Sequence, residues 1–475
     1  MVRQSNETAA PSFIDTAGRL PPMWDRRVIF FANLLSIFFE NKEQTKVLSD
    51  QVGELDSYSA RLIPLVNLLF RGCSGGRNNH LVVERPPDPA LCKYLENDLG
   101  LSLPELVVLD HNKYLQWGQR LRQESAADLS RIFGEEIDSS KSLCLDGYVT
   151  DETLTALASK IGCTTVSTMS GSHDGNNKLL LHRFLADQGL PTLDTVIAES
   201  ADDISGCADQ LSQRGYSSAI VRSQIGASGI GMVKLSGLGE TECLPQVPDY
   251  FFYEGPCLVQ GWLAAGEQGI QSLRSPSTQL FLDETTVYAF DMTEQILSDD
   301  SVHEGNESPP AYLDQLPDLR SETIAQAEIV GRWLHRTGYR GPASIDWLVV
   351  ERSSVKGDVA KMEVFVCEIN ARVTGATYPS ILAKHFHPSG AWLLRNLRLG
   401  VPETSAALLQ IFESAGHLFH ADSHSGILPL NFNFGPDGLV HKGQFICIGD
   451  STEQCHHLLH LAQQDLPGSW NADRD

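Results

Sequence analysis

Short apolar runs punctuate the 475-residue chain, and most are continuous rather than alternating with polar residues. Val28-Ile29-Phe30-Phe31-Ala32, Leu81-Val82-Val83 and Leu106-Val107-Val108-Leu109 are separated by stretches with helical spacing. A strand covered on one face alternates, whereas a strand buried on both faces does not. The pattern therefore predicts a parallel α/β sheet in a first domain. Ahead of it, residues 1–26 are polar, aperiodic and broken by Pro11, Pro21 and Pro22, and are expected to be a loose tail. Helices are expected over 151–160, over 177–188 (stopped by Gly189 and Pro191) and over 319–336. Further strands are expected at 195–198, 219–222, 232–235, 258–260, 279–282 and 286–290. Residues 344–350 and 363–369 look like paired central strands, and 298–310, acidic and Pro-containing, like a mobile loop.

Length sharpens this picture, since a chain this long is expected to divide into three or four globular units. Charge narrows the partners. Lys and Arg number 36 against 60 Asp and Glu, a formal charge of −24, which repels nucleic acid and anionic membrane. Any anionic ligand must then be held by a local set of cations, glycine amides or metal. The ten cysteines include no Cys-x-x-Cys pair and are expected to be reduced, buried thiols. The apolar stretch 28–39 is too short for a spanning helix, which needs ~20 residues, so a cytoplasmic protein is expected.

Two features carry chemistry. Gly226, Gly229 and Gly231, with Ser228 among them, form a glycine-rich loop between two predicted strands. Such a loop lets backbone amides approach phosphate oxygens. A dinucleotide fold would need a helix after the loop, and a Walker loop would need Lys followed by Ser or Thr. A hairpin lid over a nucleotide remains, or simply a tight hairpin. Arg222, just ahead, is either a phosphate cation or a surface strand residue.

The second feature is Glu368-Ile369-Asn370-Ala371-Arg372, with Asp346 in the strand before it. Carboxylates in apolar strands need a partner or a metal. Magnesium takes oxygen ligands, and Asp346, Glu368 and Asn370 offer three. Glu368 and Asn370 are two apart and share a strand face, which Arg372 extends. Arg372 there is either a stabiliser of transferred negative charge or the salt-bridge partner of Glu368.

In order and spacing, this set resembles the ATP-grasp superfamily of carboxylate–amine ligases over roughly residues 178–379. The resemblance implies an α/β fold: a pre-ATP-grasp α/β domain over 27–165, a lid subdomain over 166–256, a catalytic subdomain over 257–400 and a C-terminal segment over 401–475 packed on them. It implies ATP with Mg²⁺ or Mn²⁺, phosphate contacts from Lys178 (His182 and Arg183 being register alternatives), Arg222, Ser228 and Gly229, and a nucleotide hinge of Gln260, Trp262, Leu263 and Glu267. Arg222 and Gln260 depart from the usual Lys and Glu of the family. Metal would rest on Asp346, Glu368 and Asn370, and Arg372 and Arg222 would serve catalysis.

Ser275-Pro276-Ser277-Thr278-Gln279, Thr293-Glu294-Gln295 and the stretches at 416–420 and 447–451 are similar to peptide ligases of the pheganomycin type. The implied activity is ADP-forming ligation of an amino-acid or small-peptide carboxylate to an amine, in natural product biosynthesis. Small-molecule acid and amine partners follow, with room for a homodimer. His417, His420, His424, His456, His457 and His460 have gaps compatible with zinc but no accompanying metal motif. They are read as lining a substrate mouth or the surface, with His420 a candidate substrate contact. Rival readings are ligation to a carrier-protein thiol and a non-catalytic ATP-binding regulator.

Overall fold

The structure, a computed structural model, describes residues 10–56, 60–71, 79–121, 143–239, 244–297, 303–353 and 361–466. Its strands fall into sheets of five, four and ten.

Strands β2 (Arg27–Phe31), β3 (His80–Val83), β4 (Glu105–Val108), β5 (Leu143–Gly147) and β6 (Thr164–Thr165) form a parallel sheet in the order β4-β3-β2-β5-β6. The expected parallel architecture holds, and β2, β3 and β5 are buried along their whole length. β4 departs from expectation: it is an edge strand, and its Val108 is 54% exposed. Its apolar run is indistinguishable in sequence from a central strand's because the signal is composition, not position.

The second sheet is antiparallel, β7 (Thr195–Ala198), β8 (Ser218–Ala227), β9 (Ile230–Ser236) and β10 (Cys257–Gly261), ordered β7-β10-β8-β9. β10 lies just past the expected 256/257 boundary yet pairs with both β7 and β8, so the hinge strand belongs to this sheet. The large sheet contains β11 (Ile270–Arg274), β12 (Pro276–Leu282), β13 (Thr286–Leu297), β14 (His303–Ser308), β15 (Gly341–Arg352), β16 (Lys361–Asn370), β17 (Ala391–Glu403), β18 (Gly426–Phe434) and β19 (Val440–Gly449). Its main path is β11-β15-β12-β13-β14-β17-β19-β18, with β16 paired to β15. The C-terminal segment thus adds β18 and β19 to the same sheet that carries Asp346 and Glu368.

Two sequence expectations fail here. Within the expected tail, Ser12–Asp15 forms β1, parallel to β13, and Asp15 takes a guanidinium bond from Arg320 at 2.7 Å. Trp24 packs on Phe281, with ring centroids 5.2 Å apart. Residues 1–9 lie outside the described residues. The expected mobile loop contains β14, held between β13 and β17, with Glu304 on Arg395 and Glu307 on His456. Its acidic residues are satisfied by partners distant in sequence, which local composition cannot show. Residues 298–302 of that loop lie outside the described residues.

Candidate active site

The site is assembled where the helix Lys178–Asp187, β8 and β16 converge. Asn177 caps that helix, accepting from the amides of Leu179 and Leu180 at 3.0 Å, and donates to Gln224 of β8 at 2.8 Å. The cap sets Lys178 at the first helical position. From there its ammonium reaches the Gly226 carbonyl at 3.1 Å and Glu368 at 3.4 Å. Arg222 on β8 donates to Glu368, to the Cys367 carbonyl at 3.2 Å and to Gln260 at 3.4 Å. It is buried, not a surface strand residue.

Asp346 and Glu368 are register partners across β15 and β16. Ser277 donates to Asp346 at 2.7 Å, and Ser277 in turn accepts from Gln279 at 3.0 Å. The Asn370 amide nitrogen lies between the carboxylates, 2.9 Å from Asp346 and 3.5 Å from Glu368. The Asn370 amide oxygen accepts from Arg372, whose other terminal nitrogen donates to Asn176. Arg372 therefore follows the strand but is not the hydrogen-bonded partner of Glu368; Arg222 and Lys178 are.

The two carboxyls titrate apart. Burial, then the charge of Glu368, pushes Asp346 up to about 6. Burial would also raise Glu368, but Lys178, Arg222 and Arg372 outweigh it and hold the group down at about 2. Burial lowers Lys178 to about 8 despite the attraction of Glu368. The Cys367 thiol is pushed by burial up to about 12, so it is no nucleophile at neutral pH.

These residues fit a hard divalent cation in donor chemistry: two facing carboxylates and one amide, all oxygen ligands. The amide hydrogens of Asn370 occupy the gap between the carboxylates, where a cation would satisfy the same oxygens. Ligation by Asn370 itself requires its amide to turn, because its oxygen now faces Arg372. Among the described residues, no three His, Cys, Asp or Glu side chains gather for a metal, so the third donor has to come from such an amide or from a ligand.

A cleft adjoins Lys178 and Arg222, walled by Leu181, Leu185, Leu258, Val366 and Gln260. Its apolar walls were not singled out in sequence, since leucines at helical spacing read equally as core. Trp262, Leu263 and Glu267 are not among its walls. Trp262 lies under the Lys234 ammonium at 4.4 Å, and Glu267 accepts from Ser217 at 2.7 Å. Ser228 and Gly229, with φ of +52° and +79°, form the two-residue tip of the β8–β9 hairpin. The tip is exposed, and the carbonyl of Gly226, not an amide, meets Lys178. Of the histidines, His420 pairs with Glu413, His417 with Asp465, and His456 with Glu307. None of these partners belongs to the carboxylate–cation set.

Asn176 is the residue that sequence reading missed. It ends the helix Met169–Gly175, whose glycines allow close approach: a Cβ at Gly171 would meet the Gly338 and Tyr339 backbone at 2.4 Å, and one at Gly175 would meet Ala371 at 2.7 Å. The Gly171–Gly175 spacing was the available signal.

The fold so assembled is shared with several solved structures that have little sequence in common with it. It aligns with the biotin carboxylase of Campylobacter jejuni, solved as a β,γ-ATP complex, at TM-score 0.54 and 12% identity, covering 93% of this chain and 92% of that one. It aligns likewise with the biotin carboxylase domain of the Hydrogenobacter thermophilus 2-oxoglutarate carboxylase, solved with MgADP, ADP and bicarbonate, at 0.53 and 10%, covering 94% and 91%. An N5-carboxyaminoimidazole ribonucleotide synthetase solved with ADP aligns at 0.51 and 11%, covering 94% and 97%. In sequence, the chain is similar to the [butirosin acyl-carrier protein]–L-glutamate ligase of Niallia circulans, 24% identical over 204 residues, which is 43% of this chain. The match spans 44% of that ligase, less than half its length. No family model matches the chain. No helix among the described residues is long and apolar enough to cross a membrane.

Proposed function

We propose that the protein is an ADP-forming ligase that activates a small carboxylate as an acyl phosphate and couples it to an amine. The observation that carries this reading is the convergence of Lys178, Arg222 and Arg372 on the Asp346–Glu368 pair, beside a cleft with apolar walls. In an otherwise acidic protein, two buried cations and a half-buried third at one point are a built site for an anion of high charge.

Carboxylates resist amines because oxide is a poor leaving group. Phosphorylation replaces it with phosphate, after which C–N bond formation expels phosphate with its electron pair. Catalysis is then positioning and charge neutralisation, and needs no protein nucleophile. Lys178 and Arg222 exchange Glu368 for β- and γ-phosphate oxygens, with Ser228 and Gly229 as the lid tip above them. Arg372, steadied by Asn176, faces the oxygens of the acyl phosphate. Asp346, Glu368 and a turned Asn370 would hold Mg²⁺ or Mn²⁺, which supplies further neutralisation of phosphate charge when bound. The cleft between Leu181 and Leu258 takes the adenine, with Gln260 at its wall, and Trp262, Leu263 and Glu267 extend the hinge towards the ribose. His420 remains a candidate contact for a larger substrate.

The test is ADP release over a panel of amino acids, dipeptides and small amines, with product masses. Ligation of at least one acid–amine pair is expected; ADP at background for every pair sinks the reading. A second reading, with a carrier-bound acceptor, is favoured by the named activity of the Niallia circulans ligase. Mass gain on an acyl carrier protein, with none on free amines, would select it.

A further inference from the structure

We propose that a second cavity, at the C-terminal end of β5, receives the protonated amino group of a small substrate on Asp146. The proposal rests on the ligase reading and deepens it by assigning a substrate subsite.

The walls of this cavity include Asp146, Tyr148, Ser167, Ser172, Tyr339 and Val373. It is neither the apolar cleft nor the phosphate cluster, yet it touches the reactive centre at three points. Val373 directly follows Arg372. Ser172 belongs to the helix Met169–Gly175 and through its carbonyl accepts from Asn176, the residue that steadies Arg372, at 2.7 Å. Tyr339 lies within electrostatic reach of both Asp146 and Arg372.

Asp146 is the unexplained group. It is 7% exposed, and its carboxylate accepts from the neighbouring Gly147 amide but, among the described residues, from no side chain. The surrounding hydroxyls are engaged elsewhere. Ser167 donates to the Arg340 carbonyl at 2.7 Å, Ser172 accepts from the Thr150 amide at 3.1 Å, and Tyr148 accepts from Arg61 at 3.1 Å. Arg26 attracts the carboxylate without bonding to it, and a carboxyl buried with no direct partner is costly unless it stays protonated or meets a cation at contact. The same burial pushes it up to about 7, a poise at which an arriving ammonium would restore the ionised form. A primary ammonium brings one charge and three donors in a head about the size of a water molecule. The source is the acceptor amine or an amino group on the acid; both are small molecules with the same chemistry.

The experiment uses the full chain, with the acid–amine pair found in the ADP-release panel, as wild type, Asp146→Asn and Asp146→Glu. In Asp146→Asn the KM of the amino-bearing substrate should rise about tenfold or more, with the KM of ATP held within about twofold. Asp146→Glu should recover part of the loss. A raised KM for the amine identifies the acceptor as the source; a raised KM for an amino-bearing acid identifies the acid. Unchanged KM values for both in a folded Asp146→Asn variant overturn the proposal. Should no pair release ADP, the ligase reading fails on its own, and calorimetric titration of glycinamide still decides the subsite. Heat of binding in the wild type that is lost in Asp146→Asn supports it, and none in the wild type overturns it.

Discussion

Asp346 and Glu368 stand opposite each other on neighbouring strands, yet their surroundings drive the two carboxyls in opposite directions. Glu368 meets Lys178 and Arg222 directly; among the described residues, the side chains bonded to Asp346 are the neutral Ser277, Ser344 and Asn370. Glu368 is therefore the anion that keeps the cations gathered, and under the proposed function it does so before any phosphate arrives. Asp346 gains most from a bound cation.

Replacing Glu368 with Gln keeps the shape and removes the charge. Turnover should fall on the order of 10²–10³-fold, since the cations lose their organising anion and a metal loses a ligand. Circular dichroism should report a folded protein. Near-normal kcat in the folded variant would contradict the metal and phosphate roles.

Asn176 accepts a hydrogen bond from Arg372, and any part it has in the proposed reaction runs through that contact. Asn176→Ala should lower kcat about 10–100-fold, by analogy with the loss of other outer residues that orient a functional group. ATP affinity, read by titration, should stay within about twofold, because Lys178 and Arg222 are untouched. A purely structural role would shift the melting temperature and leave kcat alone.

Gly171→Ala tests the close approach that sets Asn176. The new Cβ would meet backbone atoms at 2.4 Å, which cannot swing aside as a side chain could. Overpacking of this kind costs ~1–3 kcal/mol, readable by urea unfolding. A variant as stable and active as wild type would mean that the helix Met169–Gly175 shifts without consequence.

Asp146 also has a signature in stability against pH. Its carboxyl is raised from 3.8 to about 7, so between those values the folded state holds a proton that the unfolded chain releases. Its contribution is fully present below the unfolded value and is lost as pH rises through about 7. Arg26 faces the carboxylate and offsets only part of this, and Tyr339 and Cys144 stay neutral. Asp146→Asn lacks the titration. Its unfolding free energy relative to wild type should therefore gain a few kcal/mol, to order of magnitude, from pH 4 to pH 7.5. A difference that stays flat would show that Asp146 ionises normally.

Many strand and helix positions between residues 177 and 369 were legible in sequence, because each element has its own apolar period and stops, whereas no element was placed beyond 369. Asn177 and Asp151 were visible as helix starts for the same reason: their caps are local, with the donating amides two or three residues away. Legibility ended where partners are remote. The Ser277 and Gln279 hydroxyl–amide relay to Asp346 was noticed only as a family-like string, and its role appears once β12 is seen paired with β15. The Arg222–Glu368 bond joins residues on different sheets, whereas strand face alone made Arg372 the nearer candidate. The amide of Asn370 was assigned by its oxygen, but orientation belongs to its neighbours, and Arg372 takes that oxygen.

β1 bears on how the molecule is made. Ser12 pairs with Thr286, so this strand leaves the ribosome long before its only described strand partner exists. At ordinary synthesis rates that gap is on the order of tens of seconds, time enough for the parallel sheet to fold first. The large sheet then captures a segment from ahead of that domain, closing the chain back on itself as a late, long-range event. A block on β1 pairing should leave the first sheet formed and the large sheet one strand short.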